Sequence, residues 1–178
     1  MTLFFLMGLI MVAFILFFRA SLFHFIGENN RFVLILQNTK WFQNVWPAGL
    51  FLFVMNTILF SSTLLILYLI MTFSIPFVHL FVMMLAVVVS IVFWMSVNKA
   101  WLNSNKNRIK MAAIGSSFYL LLTFLFLYLY VTIKPFYPGE DTFMRALGIS
   151  LAMIVTFVAW ICCFVITGFA AKTHHKKV

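Results

Sequence analysis

Five stretches of this chain run for about 20 residues each with almost no charge, and that feature limits what the chain can fold into. They cover residues 3–25, 48–71, 76–97, 111–133 and 142–171, with Arg19 as the one interruption of the first. A helix rises about 1.5 Å per residue, so each run is long enough to cross a hydrocarbon core of about 30 Å. The chain is therefore expected to be an all-α integral membrane protein, with five transmembrane helices in a single bundle and one domain over residues 1–178. Composition removes the soluble alternative. Of 178 residues, 65% are hydrophobic and 8% charged, with mean hydropathy +1.13, whereas soluble domains carry about 25% charge.

Two divisions need argument. The first run has no basic residue ahead of its apolar core, and that core exceeds the length of a signal-peptide h-region, so it reads as a retained helix. Only TFSIP separates the second run from the third. Residues 48–97 as one helix would be about 75 Å long, more than twice the core thickness, so a tight turn is required. Pro76 suits a first helical turn, with Ser74 as a candidate cap.

The formal charge is +9, which in a soluble chain would raise nucleic acid as a partner. Here the basic residues lie between apolar runs, so nucleic acid is set aside. With five spans, Arg19, Arg31, Lys40, Lys99, Lys106, Arg108, Lys110, Lys172, Lys176 and Lys177 share one side, and only Lys134 and Arg145 face the other. Positive-inside bias then places the N-terminus outside and the C-terminus cytoplasmic, ending in a basic tail, 172–178. Size and economy of loops suggest the cell membrane of a bacterium. Residues 28–46 mix Trp41, Phe42 and Trp46 with Arg31 and Lys40, which suits an interfacial cytoplasmic segment at headgroup level.

The fifth run carries the clearest helical face. Gly148, Ala152, Thr156, Ala159, Cys163, Thr167 and Ala170 recur at steps of four and three and share an arc of about 100°. In lipid, small residues let helix backbones approach closely, so this face is expected to meet protein. That protein is either the rest of the bundle, another membrane protein or a second copy. The second and third runs carry a thin polar stripe, Asn56 and Thr63 on one and His79 and Ser90 on the other. Interhelical hydrogen bonding accounts for it, and a polar path is the functional alternative. The pair Glu140-Asp141 follows the Pro138-Gly139 turn signal, so Asp141 is expected as the N-cap of the last helix, with Arg145 beside it at i+4.

Neither a zinc-protease signature nor a nucleophile elbow nor a nucleotide loop is legible, and Cys162-Cys163 has no metal spacing. His174-His175 stands in a Lys-rich tail without further ligands. No carboxylate lies deep in any run, which argues against ion-coupled transport. The sequence therefore leads to a non-enzymatic accessory, assembly or regulatory partner of another membrane protein, with no cofactor or metal. A small permease or channel component using the polar stripe is the alternative. A lipid-modifying enzyme using His24 and Glu28 is the second alternative.

Overall fold

The computed structural model describes residues 31–73, 77–135 and 141–169, all of them helix or connecting turn. Helix α1 (Arg31–Asn38) and a 3-10 turn (Lys40–Gln43) lead into α2 (Val45–Thr72), α3 (Val78–Ala100), α4 (Asn105–Val131) and α5 (Phe143–Gly168). The last four are each long and apolar enough to cross a membrane. The run at 3–25, Arg19, His24, Glu28, Ser74, Pro76, Glu140, Ala170 and the tail 172–178 lie outside the described residues.

The apolar runs and the helices differ at their ends for a physical reason. Helix α4 starts at Asn105 rather than near Met111, and α3 continues to Ala100 rather than Val97. Hydropathy marks where a helix meets hydrocarbon, whereas its backbone hydrogen bonds continue into the headgroup layer, where Lys, Asn and Arg remain solvated. The turn between α2 and α3 enters α3 through Phe77, whose φ of 65° is left-handed.

The four long helices form a ring in the order α2, α4, α5, α3, with the largest interface between α4 and α5. Helices α2 and α4 begin at the same end of the bundle, where α3 and α5 finish. Phe53 and Phe118, for example, meet edge to face at 5.6 Å across the parallel α2–α4 contact. Lys40, Lys99, Lys106, Arg108 and Lys110 gather at this basic end, while Lys134, Asp141 and Arg145 lie at the far end.

Among the described residues, packing is concentrated toward the basic end. The buried residues of α2 are Ala48, Gly49, Leu52 and Asn56, and those of α4 run from Met111 to Tyr119. In α3 they fall between Ile91 and Ala100, and in α5 between Thr156 and Gly168. Beyond those points, residues 57–72 of α2 and 78–90 of α3 bury no side chain among the described residues.

The segment expected at the interface is helical and folds against α3. Val33, Leu36 and Phe42 are buried, and Phe42 meets the Trp101 ring at 6.2 Å. The last carbonyls of any helix lack intrahelical donors. Gln37 Nε2 donates to Lys99 C=O at 3.1 Å and Gln43 Nε2 to Ala100 C=O at 3.2 Å, closing the end of α3. Gln43 Oε1 also accepts the Leu102 N–H at 3.1 Å. The opposite face leaves Leu34, Ile35 and Trp41 exposed.

Candidate functional site

Two glycines bring α2 and α4 close enough for a side chain to bridge them. A Cβ on Gly115 would lie 2.3 Å from Leu52 Cδ2, and one on Gly49 would lie 2.8 Å from Ile114 Cβ. Neither position has room for a methyl group. The close approach lets Asn56, fully buried and about three turns into α2, reach across the bundle. Its Nδ2 donates to Gly115 C=O at 3.1 Å and to Cys163 Sγ at 3.5 Å. Its Oδ1 accepts the Trp94 indole N–H at 2.9 Å. One amide therefore joins α2 to α3, α4 and α5, with both donors and the carbonyl engaged. The Trp94 ring in turn meets Tyr119 edge to face at 6.0 Å, closing a diagonal of the ring.

The other stripe residues do not join this cluster. Thr63 is half-buried and donates to Leu59 C=O of its own helix at 2.8 Å. His79 and Ser90 are half-buried, and among the described residues no hydrogen bond links either to Asn56. The seven-residue spacing puts Asn56 and Thr63 on one face, but among the described residues only the half of that face near the basic end is enclosed by neighbouring helices.

The small-residue face of α5 is occupied from its middle to the basic end by the bundle itself. Thr156 Oγ1 lies 3.1 Å from the Thr123 hydroxyl of α4, Cys163 is fully buried against Asn56, and Gly168 packs on Ala112. Thr167 is fully buried and donates to Cys163 C=O. Ala152 and Ala159 are half-buried, and Gly148 is exposed with open space beside it. At the start of α5 the N-cap residue is Thr142, and Asp141 stands one position earlier, where its carboxylate accepts the Phe143 N–H at 2.8 Å. Arg145 donates to Lys134 C=O, tying the α4–α5 connection to the first turn of α5.

Asn98 is a second polar tie that spacing did not single out. It is buried, and its Nδ2 donates to Ile166, Thr167 and Phe169 C=O at 2.7, 3.0 and 3.0 Å, which caps the end of α5 from α3. A neutral donor suits that position because a helix C-terminus is a cluster of partial negative charge. Both buried asparagines thus act as clamps between helices. Asn56 and Trp94 are 38 positions apart, a relation that follows from the antiparallel pairing of α2 and α3.

Among the described residues no three His, Cys, Asp or Glu side chains gather as metal ligands. Comparison of the chain with protein-family models, curated proteins and solved structures finds no match.

Proposed function

We propose that this chain is a non-enzymatic multi-pass membrane protein that acts as an accessory, assembly or regulatory partner of another membrane protein. In this reading it spans a bacterial cell membrane five times, with its N-terminus outside and its C-terminus in the cytoplasm. The gathering of Lys40, Lys99, Lys106, Arg108 and Lys110 at one end supports that orientation.

One observation carries the reading. Among the described residues, 57–72 of α2 and 78–90 of α3 lie beyond the packed half of the bundle, and the exposed side chains on and between them include Met71, Phe73, Phe77, Phe81, Met83 and Met84. Methionine adapts its shape to an irregular partner, and helices in lipid associate by close packing rather than by escape from water. A surface of this kind accommodates another set of helices, whereas the polar groups inside the bundle already hold one another.

The test is photocrosslinking in native membranes from Leu65 on α2 and Val88 on α3, both exposed on these segments. A discrete adduct with a different membrane protein is the expected result. Adducts with lipid alone, with a second copy, or with residues 3–25 of the same chain would overturn the accessory role. Labelling cysteines placed at Lys134 and Lys106 from either side of the membrane checks the orientation separately.

A further inference from the structure

We propose that a cavity at the basic end, between the first turns of α2 and α4, binds the phosphate group of an anionic phospholipid. The cavity measures about 500 Å3 and is lined by Asn44, Val45, Trp46, Pro47, Asn107 and Lys110. The site is an open groove rather than an enclosed chamber, and its Asn44, Trp46 and Lys110 are exposed.

Its chemistry divides into three parts. Lys110 supplies a cation at the wall, and Asn44 and Asn107 supply amide donors that fit phosphate oxygens. Lys106 stands one helical turn before Lys110. Among the described residues the one carboxylate is Asp141, which lies at the far end from these cations. The second part is the aromatic and apolar wall. Trp46 is 76% exposed, as expected of an indole at headgroup level, and Leu50 and Val54 follow it at steps of four, also exposed. An acyl chain lies along such a strip while its headgroup sits over Lys110, and free phosphate has no use for it. The third part is backbone. Both α2 and α4 begin beside the cavity, and neither Asn44 nor Ser104 caps its helix with a side-chain hydrogen bond. The positive ends of two helix dipoles therefore add to the field of Lys110. A zwitterionic headgroup would bring its own ammonium toward Lys106 and Lys110, so the site discriminates for net negative lipids.

The experiment uses the full chain, purified in mild detergent and reconstituted in phosphatidylcholine vesicles that contain a minor fraction of spin-labelled phosphatidylglycerol or, in a parallel arm, spin-labelled phosphatidylcholine. The expected result is a motionally restricted phosphatidylglycerol population that Lys110→Gln weakens about fivefold, the effect of one lysine at a lipid surface. Lys110→Arg should retain it, and Lys134→Gln at the far end should leave it unchanged. Thermal unfolding of each variant shows that the bundle is intact. Equal restriction of phosphatidylcholine, or an undiminished phosphatidylglycerol signal in a folded Lys110→Gln protein, overturns the proposal. Displacement of the labelled lipid by millimolar inorganic phosphate overturns the lipid as ligand and assigns the cavity to the free anion.

Discussion

Asn56 Oδ1 accepts the Trp94 indole N–H at 2.9 Å between α2 and α3, where both side chains are buried. The same amide holds Gly115 C=O and Cys163 Sγ, so one residue couples four helices. In lipid such bonds contribute about 0.6–2 kcal/mol each. Asn56→Leu, close in volume, should therefore lower stability by about 1–3 kcal/mol, since it removes the hydrogen bonds and leaves the indole donor buried. A double-mutant cycle with Trp94→Phe, read by reversible unfolding in mixed micelles, should return a coupling of about 0.6–2 kcal/mol. Strict additivity would show that the pair does not act together.

The glycines offer a sharper contrast. Gly115→Ala and Gly49→Ala each force a methyl group into side chains of the neighbouring helix, and each should destabilise by about 1–3 kcal/mol. Gly148→Ala meets nothing within 4 Å and should be neutral or stabilising by up to about 1 kcal/mol, the helix preference of alanine over glycine. Similar losses at all three positions would contradict the close α2–α4 approach.

At Asn98 the sign of the group matters more than its shape. Asn98→Ala removes the donor shared by Ile166, Thr167 and Phe169 C=O and should cost about 1–2 kcal/mol. Asn98→Asp keeps the shape but turns an acceptor toward three carbonyls, so its loss should be larger. Hydrogen exchange should accelerate first in the last turn of α5. A smaller effect for aspartate than for alanine would refute the capping role.

Thiol labelling reports on the same interior. Cys163 is fully buried and Cys162 is nearly so, and the chain has 2 cysteines. A membrane-permeant maleimide should label neither while the bundle is folded, and both after denaturation in dodecyl sulfate. Rapid labelling of native Cys163 would mean that the Asn56 clamp is open.

The bilayer makes the long helices legible in the order of the residues alone. Its thickness imposes a length, so residues 48–71, 76–97, 111–133 and 142–171 announce α2 to α5, and the polar turn NKNRIK is missed only because hydropathy reports hydrocarbon rather than backbone hydrogen bonds. The step of four and three along α5 draws one face, of which Thr156, Cys163 and Thr167 are buried and Gly148 is exposed. Which neighbour each face meets is a different kind of fact. Within lipid, helices that are apolar on every side give no periodic signal of their partner, so the spacing of Asn56 and Thr63 could not separate the enclosed residue from the one bonded to its own helix. Only tertiary structure decided that packing among the described residues gathers at the basic end, that Trp94 faces Asn56 and that Asn98 closes α5. Those outcomes depend on the distance at which Gly49 and Gly115 let two backbones meet, and no single helix contains that distance.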